Sequence, residues 1–279
     1  MDPKKSNFAS LIEEICREEG ITWDSYSYDW GHRLQKDGKV RYIVGYQFPL
    51  NLASVKEVCQ DKVLTYQILN AYGIPAVEHV FIPANIPSTG LTQEDHDKEA
   101  KKMLDAYQTI VVKDTTGTGG NKVFKAATLE EFHEAQNLIC ASAYSACISP
   151  FYEIENEFRV ILLDGEPLIT IRKDRAFTLN EKGEKVYENW KHNLGQGAVG
   201  VILKEEEIPD GIHEISKEAV RVLGARFVSV DVIVTEGRVL VLEINGGVMM
   251  EHLSGQSQEY FEIAKSVYKK AILRAFEEA

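Results

Sequence analysis

Two apolar strands joined by a tight turn are predicted by residues 227–245, which read FVSVDVIVTEGRVLVLEIN. Valine, leucine and isoleucine fill both arms, and Glu236-Gly237 between them is typical of a hairpin turn. Glu243 and Asn245 are two positions apart, so their side chains leave the second strand on the same face, and the apolar side chains between and beside them leave on the other. The hairpin therefore combines apolar strands with a small group of oxygen ligands.

The position of Asp231 relative to Glu243 depends on the register of this hairpin. A two-residue turn places Asp231 opposite Leu242, whereas a three-residue loop with a bulge at Gly237 places it opposite Glu243, and we expect the second register. Two carboxylates and an amide oxygen among valines would be costly to bury without a cation. Such hard oxygen ligands suit Mg²⁺ shared with nucleotide phosphates, with Mn²⁺ as the alternative ion. A solvated face of an antiparallel hairpin is the competing interpretation.

Length and composition indicate a globular chain. The 279 residues are 44% hydrophobic and 27% charged, which allows one large or two small domains with a buried core. The net charge of −12 argues against a duplex nucleic-acid binder, because such proteins need basic surface. No apolar run approaches the roughly 20 residues of a membrane span, and the N-terminus lacks the apolar core of a signal peptide. We therefore expect a cytoplasmic protein that binds neither nucleic acid nor membrane.

Helices and short strands alternate along the rest of the sequence. Apolar residues at helical spacing predict a helix over residues 7–19, which Gly20 ends. Capping boxes predict further helix starts at residues 54, 92 and 128, and the first of these helices is expected to continue to residue 69. Strands are predicted over residues 40–46, 109–113, 158–163, 168–172, 227–234 and 239–244, with helices over residues 210–223 and at the C-terminal end. This order indicates a small N-terminal unit followed by a longer α+β region.

A lysine at a strand end followed by a glycine-rich loop forms a second candidate site. Lys113 ends its predicted strand, and Gly117, Gly119 and Gly120 follow in the loop, where backbone N–H groups can approach an anion closely. The segment is not the GxxxxGK[ST] phosphate loop, and no helix starts at its lysine. A glycine-rich hairpin without a ligand is the alternative interpretation.

A third candidate is a hairpin that carries arginines. Its turn is Asp164-Gly165, and a two-residue turn places Arg172 opposite Glu157, with Arg159 on the same face. Guanidinium groups suit phosphoryl oxygens and can stabilise the charge that develops during phosphoryl transfer. The alternative is an exposed cross-strand ion pair. A fourth segment, residues 190–198, is polar and contains glycine, which fits either a loop over a site or a solvent-exposed connection.

Taken in order, these segments resemble the ATP-grasp superfamily, specifically its branch of amino-acid and peptide ligases that includes ribosomal-protein glutamate ligases. D-alanine:D-alanine ligase and glutathione synthetase are more distant members. The resemblance begins near Cys59 and rests on the order and spacing of Asp61-Lys62, Gly73-Ile-Pro75, Val111-Val-Lys113 with its glycine loop, Glu157-Phe-Arg159, His192-Asn193 through Gly197, Asp231 and Leu242-Glu-Ile-Asn245. It implies an α+β ATP-grasp fold in which two α+β subdomains clasp ATP. The division it implies is a short N-terminal unit at residues 1–58, a lid subdomain at 59–149 and a C-terminal subdomain with the metal site at 150–279.

The resemblance also implies roles for individual residues. In the family pattern, the positions that bind the nucleotide correspond here to Lys62 and Lys113 at the phosphates, Gly117, Gly119 and Gly120 in the lid, Phe151, Tyr152 and Glu153 together at the adenine, and Glu157 at the ribose. The magnesium ligands correspond to Asp231, Glu243 and Asn245. The positions that hold the transferring phosphate and the substrate carboxylate correspond to Arg159, Arg172 and Asn193.

The reaction implied by the resemblance is ATP-dependent ligation of a carboxylate to an amine through an acyl phosphate, with release of ADP and phosphate. Its substrates would be an amino acid, a peptide or another carboxylate and amine. An ATP-grasp phosphotransferase and a non-catalytic ATP-binding module are the two alternatives, and a homo-oligomer is one option for the assembly. The sequence departs from the family pattern at Asp114, where proline is common, at Gly246-Gly247-Val248, where a small residue followed by proline and glycine is usual, and in its short N-terminal unit.

Overall fold

The computed structural model describes residues 5–84, 90–179, 185–187 and 190–277. The helices are α1 (Asn7–Glu19), α2 (Ala53–Gln60), α3 (Lys62–Ala71), α4 (Gln93–Tyr107), α5 (Leu129–Cys140), α6 (Ile212–Leu223), α7 (Glu251–Ser254) and α8 (Gln258–Glu277). The strands are β1 (Thr22–Tyr26), β2 (Gly31–Lys36), β3 (Lys39–Val44), β4 (Val80–Pro83), β5 (Ile110–Asp114), β6 (Val123–Ala126), β7 (Ser145–Pro150), β8 (Asn156–Leu163), β9 (Glu166–Asp174), β10 (Phe177–Leu179), β11 (Lys185–Tyr187), β12 (Val199–Ile202), β13 (Phe227–Thr235) and β14 (Arg238–Asn245). Within the described ranges, none of the helices has both the length and the apolar character that a membrane span requires.

A four-stranded antiparallel sheet with the order β4-β7-β5-β6 carries α4 and α5 on its apolar face. Phe132 and Ile139 of α5 pack with Ile110 and Val112 of β5 in one buried cluster. The predicted capping box at residue 92 is confirmed, because the side chains of Thr92 and Asp95 each bond the backbone of the other at the start of α4. The side chain of Thr128 likewise caps α5, as predicted.

A five-stranded antiparallel sheet with the order β12-β9-β8-β13-β14 is buried on both faces. On one face, Ile161, Ile171 and Phe227 pack with α1, α8 and the N-terminal residues. On the other face, Val160 and Val228 pack with α2, α3 and α6. Burial on both faces explains why β13 is apolar at nearly every position instead of alternating with polar residues.

The N-terminal unit consists of α1 and the antiparallel sheet β1-β2-β3. The predicted helix over residues 7–19 is confirmed, and Gly20 ends it in the left-handed conformation with φ +63°. Phe8 contacts the aromatic rings of Phe48 and Tyr268, so the unit shares one core with α8. The division of the chain at residues 58 and 149 stays a prediction.

The single helix predicted from residue 54 to residue 69 is wrong. The structure has two helices that meet at Asp61, whose carboxylate accepts hydrogen bonds from the backbone N–H groups of Val63 and Leu64. Leu52, not Ser54, is the N-cap of the first helix, and it makes no side-chain bond. An aspartate at the N-cap position starts a new helix strongly, which explains why the apolar stripe is interrupted there.

The predicted pairing of Asp231 with Glu243 is confirmed, but the predicted cause is wrong. The turn holds only two residues, Glu236 and Gly237, both at positive φ (50° and 69°), which is the conformation that two-residue hairpin turns require. The extra residue is Leu242, which forms a bulge next to the pair instead of at the turn. This bulge brings the two carboxylates opposite each other.

The predicted pairing of Arg172 with Glu157 is wrong. A second bulge, at Leu168, shifts the register of β9 by one residue, so Arg172 lies opposite Phe158. A shift of one residue moves every following side chain to the other face of the sheet. As a result Lys173, not Arg172, bonds Glu157, with 2.6 Å between the ammonium nitrogen and a carboxylate oxygen.

Candidate active site

Two adjoining cavities lie against the five-stranded sheet, the first between it and the four-stranded sheet and the second between it and the N-terminal unit. The first contains about 940 Å³ of empty volume, open mouth included, and the second about 1580 Å³. The first is lined by β5, β7, the glycine loop and the inner ends of β13 and β14. Both are lined by Thr118, Gly119, Lys173, Asn193 and Glu243, so they form one continuous cleft.

Most of the predicted site residues line this cleft. Those that line the first cavity are Lys62, Lys113, Gly117, Gly119, Gly120, Phe151, Tyr152, Glu157, Asn193, Asp231 and Glu243. Arg159 and Asn245 line the second cavity. Two predicted residues line neither cavity: Glu153, whose backbone oxygen accepts a hydrogen bond from Thr235, and Arg172, which bonds Asp174.

Lys113 presents a buried ammonium group to the first cavity. Its side chain comes from the end of β5, and burial lowers its pKa below the usual value for lysine. Among the described residues, none forms a hydrogen bond or ion pair with this ammonium group. Lys62 differs, because its ammonium group donates to the backbone oxygens of Gly117 at 2.6 Å and Thr115 at 3.4 Å. Lys113 is therefore available to an anionic ligand, and Lys62 is bound to the loop.

Asp231 lies at the centre of a buried group of charges. Arg159 donates two hydrogen bonds to its carboxylate, each 2.7 Å long, and Lys173 lies 2.9 Å from one of the same oxygens. Burial raises the pKa of Asp231, but the charges and hydrogen bonds of Arg159 and Lys173 outweigh burial and hold the pKa below its ordinary value. Lys173 also bonds Glu157, so it joins two carboxylates.

Sequence reasoning missed Lys173. It is adjacent to Arg172, and adjacent strand residues point to opposite faces, so only the register decides which of the two enters the site. The bulge at Leu168 sets that register. Its position follows from the packing of the whole sheet, and the local sequence carries no signal for it.

Glu243 and Asn245 form the open part of the oxygen-ligand group. The amide nitrogen of Asn245 lies 3.3 Å from a carboxylate oxygen of Glu243, and in the described ranges no lysine, arginine or histidine pairs with this carboxylate. The described residues contain no group of three or more histidine, cysteine, aspartate or glutamate side chains that could hold a metal ion. Glu243 and Asn245 fit a hard cation, whereas Asp231 fits one only if Arg159 or Lys173 moves away.

The glycine loop is held by side chains from the segment at residues 190–197. The backbone oxygen of Gly120 accepts a hydrogen bond from Lys191 at 2.9 Å, and that of Gly119 accepts one from Gln196 at 3.2 Å. Asn193 lies between these two residues and lines both cavities. The segment therefore lies over the site, which is one of the two interpretations that its sequence allowed.

Aromatic side chains line the other end of the first cavity. The rings of Phe151 and Trp190 meet edge to face, with 5.6 Å between their centres. The ammonium group of Lys125 lies over the Phe151 ring at 3.7 Å. Flat apolar walls of this kind suit a planar ring, whereas the lysine end of the same cavity suits anions.

The family model for the RimK-like ATP-grasp domain matches residues 59–269. The tetrahydromethanopterin:alpha-L-glutamate ligase of Methanocaldococcus jannaschii is 23% identical over 257 residues, which cover 88% of this chain and 76% of that protein.

Two solved structures are similar in fold. D-alanine–D-alanine ligase from Bacillus anthracis complexed with ATP superimposes with a TM-score of 0.59 at 16% identity, covering 84% of this chain and 72% of that one. A bifunctional glutathione synthetase from Pasteurella multocida has the same TM-score of 0.59 at 13% identity, covering 96% of this chain and 44% of that one. Coverage of 96% means that the likeness extends into the N-terminal unit.

Proposed function

The chain belongs to the RimK-like ATP-grasp family, whose model matches residues 59–269, and on that premise we propose that it is an ATP-dependent carboxylate–amine ligase. The membership and the structural likenesses confirm the family and the α+β ATP-grasp fold predicted from the sequence. The relative from M. jannaschii is a glutamate ligase by name, which favours ligation over phosphotransfer. The observation that carries the proposal is that the first cavity is lined both by Lys113, whose ammonium group no described residue bonds, and by Glu243, whose carboxylate no described cation pairs with.

The nucleotide would occupy the first cavity. Its adenine fits the aromatic end at Phe151 and Tyr152, and its phosphates fit the end where Lys113 and the glycine loop lie. Lys62 would release the Gly117 oxygen to reach the same phosphates. Contact of Glu157 with the ribose stays a prediction, since this carboxylate also bonds Lys173.

Glu243 and Asn245 would hold Mg²⁺, or Mn²⁺ as the alternative ion, and Asp231 would join them after its ion pairs rearrange. When bound, the ion would neutralise charge on the phosphate oxygens. Lys113 and Arg159 add fixed positive charge on either side of Glu243, where the transferring phosphoryl group would lie. Arg172 bonds Asp174 outside this group, so we propose Lys173 for the role predicted for Arg172.

The reaction needs no covalent intermediate on the enzyme. A substrate carboxylate oxygen attacks the γ-phosphorus of ATP, an O–P bond forms, and the bond to the ADP oxygen breaks. The amine then attacks the acyl carbon, a C–N bond forms, inorganic phosphate leaves with the C–O electron pair, and the amine loses a proton. Arg159 and Asn193 are suited to bind the carboxylate and its oxyanion, because both face the second cavity. The glycine loop would exclude the water that hydrolyses acyl phosphates.

The proposal is tested by incubation with Mg²⁺, ATP and pools of amino acids, short peptides and other carboxylates and amines. We expect ADP and phosphate to be released together with a product whose mass equals the two substrates minus water. Release of AMP, or a stable phosphorylated product without condensation, would contradict the proposal. Cytoplasmic location and assembly into a homo-oligomer stay predictions.

Glu243→Gln removes the negative charge of this side chain and keeps its shape, so turnover should fall by at least about 100-fold. Glu236→Gln is the matched control, because Glu236 lies in the exposed turn of the same hairpin and, among the described residues, its side chain bonds only Arg238. Equal activity of the two variants would refute the metal assignment.

A further inference from the structure

The N-terminal unit contributes the outer end of the second cavity. Trp30, Val44, Tyr46 and Gln47 line it there, whereas Arg159, Glu243 and Asn245 line the inner end. Although it lines a cavity, Trp30 is 60% exposed. An indole that is this open beside a reaction cleft is available to a ligand.

Gly45 packs against one face of the Trp30 ring. A Cβ atom added at Gly45 would lie 2.8 Å from Cη2 of the ring and 3.1 and 3.2 Å from Cζ3 and Cζ2. Such similar distances to three ring atoms arise above the ring face, because an approach in the ring plane would leave the two Cζ atoms clearly farther away. The N–H group of Gly45 also donates to the Trp30 oxygen at 2.7 Å. A side chain at residue 45 would displace the ring, and because Gly45 covers one face, the 60% exposure of Trp30 leaves the opposite face for a ligand.

The turn that precedes Trp30 is held in an uncommon conformation. Ser27, Tyr28 and Asp29 all have positive φ (53°, 55° and 64°), a region that non-glycine residues rarely adopt. Ser25 donates a hydrogen bond to the carboxylate of Asp29, and the N–H group of Trp30 donates to the Ser27 oxygen at 3.2 Å. These two hydrogen bonds hold the turn and so set the backbone from which the Trp30 side chain extends.

A gap separates the side chains of Tyr26 and Val44 on the three-stranded sheet of the N-terminal unit. Tyr26, Gly31 and Val44 are directly opposite one another across β1, β2 and β3, and Tyr26 and Val44 are each about half exposed. A Cβ atom at Gly31 would meet no atom within 4 Å. The glycine therefore leaves space between Tyr26 and Val44 next to the turn that carries Trp30.

Charge is distributed unevenly along the second cavity. The inner end carries Lys56, Arg159, Lys173 and the carboxylate of Glu243, and Arg159 and Lys173 are also paired with Asp231, whereas the four side chains at the outer end are uncharged. A substrate carboxylate would bind at the inner end by taking the place of Asp231 on Arg159 and Lys173. At the outer end a cation would lack a counter-charge, so a neutral flat group fits the open face of Trp30 better.

We propose that the second cavity binds a carboxylate substrate whose far end is a neutral planar ring stacked on Trp30. The proposal rests on the proposed function for the direction of the substrate, with its carboxylate at Arg159 and Lys173. It assigns to the N-terminal unit the choice between ring-bearing and ring-free carboxylates. Trp30 is a specificity-determining residue in this scheme, and Gly45 positions it.

The test uses two probes of equal charge and similar size, benzoyl-γ-aminobutyrate and its cyclohexanecarbonyl counterpart. Their affinities are measured by titration, and the indole N–H resonance of Trp30 is followed in protein with isotopically labelled tryptophan. We expect the benzoyl probe to bind about tenfold more tightly and to shift this resonance. Trp30→Ala should abolish the difference between the probes, whereas Trp30→Phe should keep part of it.

Gly45→Ala is the second variant, because its methyl group would displace the Trp30 ring without removing it, and it should also reduce the preference for the benzoyl probe. Tyr144→Ala is the matched control, since Tyr144 is exposed but lines neither cavity. Equal binding of both probes to the wild-type protein, or an undiminished preference in Trp30→Ala, would overturn the proposal. The assay needs no turnover, so a failed ligase reaction with an intact ring preference would refute the proposed function alone.

Discussion

Arg159 and Asp231 show what a buried charge requires of its neighbours. The side chain of Asp231 is 2% exposed, and its two oxygens are bonded by Arg159 and by Lys173. Arg159→Met leaves this carboxylate with Lys173 alone, and we expect the free energy of unfolding to fall by about 3 kcal/mol. Urea titration of the purified variant measures the loss. A double variant that also carries Asp231→Asn should be more stable than Arg159→Met, because the uncompensated charge is gone; a less stable double variant would contradict this account.

His79 links stability to pH through burial. Its ring is buried, one nitrogen bonds the Val77 oxygen at 2.8 Å, and burial, then the nearby Lys113 charge, lowers its pKa well below the usual value. A depressed pKa means that the unfolded chain binds the proton first, so stability is complete above the unfolded pKa of about 6.5 and falls as pH drops below it.

We therefore expect this histidine to reduce the free energy of unfolding by about 1 kcal/mol between about pH 7.5 and 5.5. His79→Gln should show a smaller decrease over the same interval, measured by urea unfolding at both pH values. His133→Gln is the control, because His133 is partly exposed and paired with Asp97. An equal pH dependence of wild type and His79→Gln would exclude this cause.

The glycine loop and the segment at residues 190–197 act as a pair of elements. The side chains of Lys191 and Gln196 donate to the backbone oxygens of Gly120 and Gly119, so the second element holds the first over the cavity. Gln196→Ala removes one donor, and we expect hydrogen exchange of the amides in residues 117–121 to become a few times faster, because each lost bond contributes about 1 kcal/mol or less at a partly exposed site.

The control for that measurement is Gln258→Ala. Within the part of the chain that the structure describes, Gln258 makes one side-chain bond, to Glu262 on the surface of α8, far along the chain from the loop. Its substitution should leave exchange in residues 117–121 unchanged. If hydrogen exchange in residues 117–121 is also unchanged in Gln196→Ala, the loop is held by other contacts, and the bond from Gln196 does not stabilise it.

At the scale of strands, the sequence predicted where the strands lie along the chain better than which residues face each other across paired strands. The pairing of Asp231 with Glu243 was predictable, because the cost of burying two carboxylates limits the chemistry of the site. The bulges at Leu242 and Leu168 were not, since both depend on packing against helices on two faces of the sheet. Because of the bulge at Leu168, Lys173 lies in the site where Arg172 was predicted. The strands were therefore predicted correctly, but one residue of the site was not.

The N-terminal unit and the five-stranded sheet share a core, which determines how the whole molecule unfolds. Phe8 of α1 packs with Phe48 and Tyr268, and the same buried cluster contains Phe227 of β13. Separate unfolding of the N-terminal unit would expose this cluster on the sheet that carries Asp231 and Glu243. We therefore expect the two regions to unfold in a single transition.

Phe8→Ala tests this coupling, because Phe8 is fully packed and its truncation should lower the free energy of unfolding by about 3 to 5 kcal/mol. Two signals are followed during denaturation: the indole N–H resonances of Trp23 and Trp30 in the N-terminal unit, which are resolved from that of Trp190 in the first cavity, and the capacity to bind ADP. Both should be lost at the same urea concentration, lower than in the wild type. Phe132 lies in the separate core of the four-stranded sheet, so Phe132→Ala should lower the urea concentration at which ADP binding is lost. It should not lower the urea concentration at which the tryptophan signal is lost. Loss of the tryptophan signal of Phe8→Ala well before loss of ADP binding would show instead that the N-terminal unit folds independently.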